Sequence, residues 1–344
     1  MVTDIPNQGV LLPDRHPQQE LFVCDIADAV LKDDMASMEH PFFSLSKKRD
    51  MQTRRYERGP NWIEIRPSSL GLATIYDKDI LIYAISQLMA AKNEGRKIRQ
   101  TIVISARELL VFTNRHTGGH DYELLSDALD RLQGTQIKTN VQTGGEEQSD
   151  TFSLIDSATL RRDKKTDRII ELRLKLSDWV FNAINADEVL TLHRDYFRLR
   201  KPLERRIYEI ARKHCGAQDQ WKVSVTVLKE KCGSNSPTKH FRYVLKNIVE
   251  NDHLPDYSVT MDSDDNVIFY NRRKEKAVSS NFDFHLRDRT YESARQVAPG
   301  WDVYAIESEW RAWLNGKGME PPKNPDKAFL GFCEKWQKQR GSAY

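Results

Sequence analysis

The sequence predicts an α+β chain: two tandem winged-helix domains plus a small C-terminal helical unit. Three observations predict it. Residues 191–276 read as a helix, a short strand, two more helices and a β-hairpin, and the last helix is strongly basic. Residues 62–190 repeat that order of elements with different chemistry and no residue-level repeat. Residues 301–340 carry Trp, Tyr and Phe at helical spacing.

Composition sets the bounds. A chain of 344 residues has room for two or three domains. Its 39% hydrophobic content supports packed cores, while 30% charge and a mean hydropathy of −0.66 point to a soluble protein. No apolar run approaches the roughly 18 residues of a membrane span, and no secretory N-terminus is visible. Cys24, Cys215, Cys232 and Cys333 form no C-x-x-C pair. That argues against a zinc site or a disulfide framework and for a reducing cytoplasm.

The first segment spans 1–58. Residues 1–40 hold two Lys+Arg against eight Asp+Glu. Residues 21–35 have amphipathic helical spacing between disorder-type flanks. Lys47, Lys48, Arg49, Arg54, Arg55 and Arg58 then form a basic arm, which either lies along nucleic acid or is a solvated linker.

The first domain spans 59–190. Trp62, Ile63 and Ile65 begin it as a strand. Residues 77–93 form a helix on the stripe Ile80, Leu81, Ala84, Ile85, Leu88 and Met89. A strand at 101–104 precedes Ser105-Ala-Arg-Glu108, the spacing of a capping box. Gly118-Gly119 breaks the chain, and 120–132 is helical on Leu124, Leu125, Ala128, Leu129 and Leu132. Strands at 136–142, 151–157 and 168–176 make an extended wing, and a helix at 177–186 closes the unit. The helix in the recognition position is acidic, with Asp121, Glu123, Asp127 and Asp130 outward, and would repel phosphate. The domain therefore reads as a protein-association unit. Arg161, Arg162, Lys164 and Lys165 are either backbone contacts to DNA or a solvated hairpin turn.

The second domain spans 191–276. Leu203, Ile207, Ile210 and Ala211 define a helix whose other faces carry Arg205, Arg206, Arg212 and Lys213. Residues 221–225 alternate as a strand, and a short helix at 226–231 stops at Cys232-Gly233. Ser236 suits an N-cap and Pro237 the first helical position. From 238 to 251, Phe241, Val244, Leu245, Ile248 and Val249 share one face while Lys239, Arg242, Tyr243 and Lys246 share the other. Tyr257, Val259 and Met261 alternate into a turn at 262–266, and 267–270 returns. Arg272, Arg273 and Lys274 follow at the base of this wing.

Residues 191–276 hold 18 Lys+Arg against 12 Asp+Glu, whereas the whole chain nets only +3. The molecule is polarised, and its basic half has the footprint of a salt-dependent duplex-DNA binder. The candidate contacts are Thr238, Lys239, Arg242, Tyr243 and Lys246 on the helix, with Arg205, Arg206, Arg272 and Arg273 beside it. Lys239, Arg242 and Lys246 are expected to contact bases or phosphates, with Arg242 the specific reader, because the guanidinium fork matches guanine.

Residues 277–300 read as a linker and 301–340 as a helical hairpin. Tyr304, Ile306, Trp310, Trp313 and Leu314 share one helix, and Phe329, Phe332 and Trp336 share another beyond a Pro-rich break. Two helices this short need something to pack on, or they present a docking surface.

Chemistry-bearing motifs are lacking. There is no P-loop, no metal-holding histidine triplet, and no cofactor motif. His116 and His120 flank a Gly-Gly pair rather than sharing a helix face. The Asp262-x-Asp264-x-Asn266 run lacks the Gly and Glu of a calcium loop. A non-enzymatic binding protein is the reading favoured by the residues.

The stretch Trp62-Ile-Glu-Ile-Arg-Pro-Ser-Ser-Leu-Gly-Leu-Ala-Thr-Ile-Tyr-Asp-Lys-Asp79, with Asp121-Tyr-Glu-Leu-Leu125, Ala128-Leu-Asp-Arg-Leu132 and Leu203-Glu-Arg-Arg-Ile-Tyr208, resembles the replication initiator protein A family of plasmid initiators. The likeness covers about residues 60–275. The tail around Ala298-Pro-Gly-Trp-Asp302 and Pro322-Lys-Asn-Pro-Asp-Lys-Ala-Phe329 resembles the C-terminal piece of some plasmid and phage replication proteins. The resemblance implies tandem winged helices, with the second reading repeated origin sites and the first mediating dimerisation. It implies duplex DNA, a second copy, the host initiator and the replicative helicase as partners. Competing readings are a winged-helix repressor without initiator activity, a nickase using a tyrosine such as Tyr196, and a single-strand binder acting through the aromatic tail.

Overall fold

Three helices backed by a three-stranded sheet form the second unit, as the element order of 191–276 predicts. The protein was studied as a computed structural model that describes residues 11–16, 23–25, 41–58, 61–139, 150–162, 169–186, 189–216, 218–272, 284–298, 301, 303–316 and 321–340. Helix α5 (Pro202–His214) starts with Pro in its first turn, where no N–H is needed. Before it come α1–α4 and β1–β9, given below. Strand β10 (Gln220–Ser224) leads into α6 (Val225–Cys232), capped by the Ser224 hydroxyl, which accepts from Val227 N at 3.3 Å. Gly233, at φ 64°, ends α6. Helix α7 (Thr238–Asn251) follows, then β11 (Tyr257–Met261) and β12 (Asn266–Asn271). The last strand pairs between the other two, antiparallel to both. Alternation sends Val223, Val259, Val267 and Phe269 into the core.

The start of α7 differs from the sequence reading by one step. Pro237 occupies the cap position, in extended backbone, and Thr238 opens the helix. The Ser236 hydroxyl pairs with the Ser234 hydroxyl at 2.8 Å instead of capping.

The first unit has the same plan. Its elements are α1 (Lys78–Asn93), β4 (Thr101–Ile104), α2 (Ala106–Phe112), α3 (Gly119–Gly134), β7 (Ile155–Arg162) and β8 (Ile169–Leu176), with β8 between β4 and β7. The Ser105 hydroxyl accepts from Glu108 N at 3.3 Å and opens α2. A second sheet flanks it, in the order β2 (Arg54–Arg58), β3 (Asn61–Arg66), β5 (Gln136–Thr139), β6 (Asp150–Ser153). The predicted strand at 151–157 is thus two strands in two sheets. Leu154 and Ile155 are both buried, which breaks the period of two and lets the chain cross between sheets. Helix α4 (Asp178–Asn185), capped by Ser177, closes the unit.

Two further predictions are corrected. Val23–Asp25 is a strand, β1, paired antiparallel with β9 (Leu190–Leu192), where helical spacing pointed to a helix. Pairing with Leu190–Leu192 satisfies its backbone groups; the rest of 21–35 lies outside the described residues. The predicted linker contains a helix, α8 (Asp288–Val297), so the C-terminal unit has three helices with α9 (Val303–Gly316) and α10 (Pro325–Arg340). Leu286, Ala294 and Ala298 supply the apolar face that Trp310, Leu314 and Phe329 need to be enclosed.

One continuous buried core runs from Phe42 to Phe269 through both units. The C-terminal helices bury a separate cluster. No described helix is long and apolar enough to cross a membrane.

Candidate nucleic-acid interface

Helix α7 turns three sides outward. Phe241, Val244, Leu245 and Ile248 are buried, so the opposite crest carries Lys239, Tyr243 and Lys246. Lys239 and Lys246 are exposed, and neither is ion-paired with any described residue. Tyr243 is 62% exposed, and its ring lies near His240 at 6.4 Å. Thr238 is half-buried at the helix start, beside backbone N–H groups that suit an anion.

On one flank Arg242 reaches the wing turn. Its Nε and one terminal nitrogen donate to the two Asp265 carboxylate oxygens at 2.9 and 2.7 Å. The hydrogen bonds raise the Arg242 pKa and hold Asp265 below the usual carboxylate range. The turn itself is acidic. Asp262 accepts from Asp264 N and Asn266 N, and Lys222 lies 2.7 Å from it.

On the other flank Tyr243, Asn247 and Asn251, spaced four apart, line a cleft of about 970 Å³ between the two units. Asp121 and Leu124 of α3 line its far side. Nine Lys and Arg side chains line it against three Asp, so its potential is positive. Several of those charges are already neutralised: Arg131 pairs with Asp77 at 2.7 Å and Arg115 with Asp79 at 3.1 Å. Lys47, Lys48, Arg49 and Arg200 are exposed at the cleft and form no ion pair with described residues. Lys47 lies over the Tyr76 ring at 5.8 Å, and Arg49 donates to Ser69 O.

Arg205 and Arg206 correct the sequence reading. Arg205 is 3% exposed; it meets Asp79 at 2.8 Å, donates to the Leu199 and Phe197 carbonyls, and lies over Tyr76 and Tyr196. Arg206 is 6% exposed; it meets Glu209 at 3.2 Å and donates to Lys231 O. Glu209 also takes Lys78 at 2.9 Å and Tyr196 Oη at 2.6 Å. Arg205 thus ties α5 to α1 and Arg206 ties α5 to α6, both from buried positions with their charges already paired. Helical spacing misled because α5 is buried on almost every face.

Arg272 is half-buried and held by Asp252, at 2.8 Å through Nη1, at the C-terminal end of α7. Arg161 is exposed on β7 and pairs with Glu171 at 3.3 Å; Arg162 is exposed beside it. Arg273, Lys164 and Lys165 lie outside the described residues. Helix α3 keeps Glu123, Asp127 and Asp130 exposed. Sequence reasoning missed Arg200, Asn247 and Asn251. Arg200 stands at the entry to α5, and only its neighbour Lys201 hinted at a cationic edge.

The fold places the chain among α+β proteins. It is similar to two crystal structures of domains 2 and 3 of RctB. The first gives a TM-score of 0.50 at 13% identity, over 70% of this chain and 98% of that one. The second gives 0.52 at 12%, over 71% and 98%. At these identities the likeness speaks to the fold alone. The chain belongs to the replication initiator protein A family, whose model matches residues 32–259. It is 37% identical over 274 residues to a Wigglesworthia glossinidia brevipalpis protein named "Putative replication protein", across 78% of this chain and 99% of the relative. The chain is therefore a replication initiator.

Proposed function

We propose that this initiator binds repeated duplex sites at a plasmid origin through its second unit. Both units read as winged helices, with α7 as recognition helix and β11–β12 as wing. The observation that carries the proposal is that α7, whose Lys239 and Lys246 are exposed with no ion pair among the described residues, puts Tyr243, Asn247 and Asn251 on the wall of the cleft that Lys48 and Arg200 also line. Duplex DNA laid on the crest would bring a phosphate backbone over Lys48 and Arg200. The outward carboxylates of α3 leave the first unit to association with a second copy. Opening of the origin is then driven by binding energy over several sites, with no catalytic step assigned to this chain. The C-terminal helices are the surface for the host initiator or helicase, and the protein works in the bacterial cytoplasm.

The test is a footprint and gel shift on DNA flanking the gene, at two salt concentrations. Wild type is compared with Lys239→Ala/Lys246→Ala/Arg200→Ala. Protection of several spaced, similar segments, lost in the triple variant, is expected. Protection of one inverted repeat at the promoter would favour a repressor. Binding that the variant leaves unchanged would sink the placement of the interface.

A further inference from the structure

Resting on that placement of α7, we infer that the helix reads A·T base pairs, through Asn247 and Tyr243, and does not read guanine through arginine. Among the described arginines of the second unit, Arg242 and Arg272 flank this face, while Arg200 stands across the cleft, where the phosphate backbone would run. Each of the flanking two spends its planar fork on an aspartate: Arg242 on Asp265 with two hydrogen bonds, Arg272 on Asp252. A fork committed in this way is not offered to guanine O6 and N7. Single surface pairs are weak, but releasing Arg242 would leave the Asp265 carboxylate bare beside the DNA. Asp262 and Asp264 stand in the same turn. Phosphate repulsion would then oppose the release.

The groups on offer are of another kind. Asn247 is half-buried at the cleft edge, one turn beyond Tyr243, and its carboxamide has no hydrogen-bond partner among the described residues. A carboxamide matches adenine, donating to N7 and accepting from N6–H. Tyr243 is a large side chain with an exposed ring at the middle of the crest, and an aromatic edge packs on the thymine methyl group. Asn251 is less available, because its amide donates to Asn247 O at 2.7 Å. Lys239 and Lys246 flank the pair as point charges for phosphate. Glu250, exposed one turn on, marks the end of the face that DNA tolerates.

The experiment is selection of bound duplexes from a randomised pool by the full chain, followed by binding of the selected site with single-base changes. Wild type should select a site with A·T pairs at adjacent positions. Asn247→Ala should lose about tenfold or more of its preference for adenine at one position and keep the rest of the site. Replacing thymidine by deoxyuridine, which removes only the methyl group, should weaken wild type and leave Tyr243→Ala indifferent. Asp265→Asn should release Arg242 and add a guanine preference. A wild-type site whose guanine preference disappears in Arg242→Ala would overturn the inference. So would a site unaltered by Asn247→Ala and Tyr243→Ala, while duplex binding itself stood. A pool from which wild type selects no duplex at any salt concentration would overturn the underlying placement as well, and is distinguishable from both.

Discussion

Arg205 of α5 and Asp79 of α1 meet at 2.8 Å in the interior between the two units, with side chains 4% and 1% exposed. A charge so placed is stable only because it is paired, and two backbone carbonyls take two more of its five N–H groups. The pair ties α5 to α1 beside the continuous apolar core.

Arg205→Met leaves Asp79 with Arg115 as its remaining cation among the described residues. A loss of about 3 kcal/mol is expected, the low end for breaking a buried pair. Urea denaturation of the full chain measures it. Folded Arg205→Met should keep the salt slope of duplex binding, which separates structural from surface cations.

Lys239→Ala and Lys246→Ala act in the opposite way. Stability should change by less than about 0.5 kcal/mol, as for exposed sites. Each lost phosphate contact should lower the slope of log K against log salt by about 0.9. Titrations at four salt concentrations give that slope; an unchanged value would remove these lysines from the interface.

Gly233 tests the joint between α6 and the N-terminal segment. Its φ of 64° disfavours any Cβ, and one built there would overlap the Pro41 ring. Gly233→Ala should cost about 2 kcal/mol or more, because strain and overlap add. Gly95 has φ 74° but open space around it, so Gly95→Ala should cost about 1 kcal/mol. Equal losses in thermal melts would show that Pro41 does not press on this turn.

Asp326 ties α10 to the start of α8. It accepts from Arg287 N at 3.0 Å, from Arg287 Nε at 2.8 Å and from Thr290 Oγ1 at 2.5 Å. Partial burial would raise its pKa, but these hydrogen bonds outweigh it and bring the group down to about 2, from 3.8. A lowered carboxylate pKa stabilises the folded state above the unfolded value, and the contribution is lost as pH falls through the folded one. The C-terminal unit should therefore weaken between about pH 4 and pH 2. Asp326→Asn should be less stable than wild type at pH 7 and match it near pH 2. A stability difference independent of pH, read from tryptophan fluorescence, would contradict this.

Much of the fold is legible in residue patterns. The stripe Phe241, Val244, Leu245 and Ile248 sets α7, Gly233 ends α6, and Ser105 with Glu108 opens α2, because each depends on neighbours within a turn or two. The crossover at Leu154, the pairing of β1 and helix α8 were not legible, since each is decided by a partner distant in the chain. The same limit governs the interface. Lys239, Tyr243 and Lys246 stand on the exposed crest that the spacing assigns them.

By itself, then, the sequence determined the element order of the second unit, the apolar stripes of helices such as α1, α3 and α7, the polarised charge and the family. Periodicity and capping are local, and charge is additive along the chain. Only the tertiary structure decided which cations are free. Arg205 and Arg206 look like Lys239 and Lys246 in one dimension, yet burial of α5 against α1 turns them into interior partners of Asp79 and Glu209. Desolvation makes a carboxylate partner obligatory there; Glu209 stands one turn beyond Arg206 on the same helix, but packing across more than a hundred residues of chain brings Asp79 to Arg205.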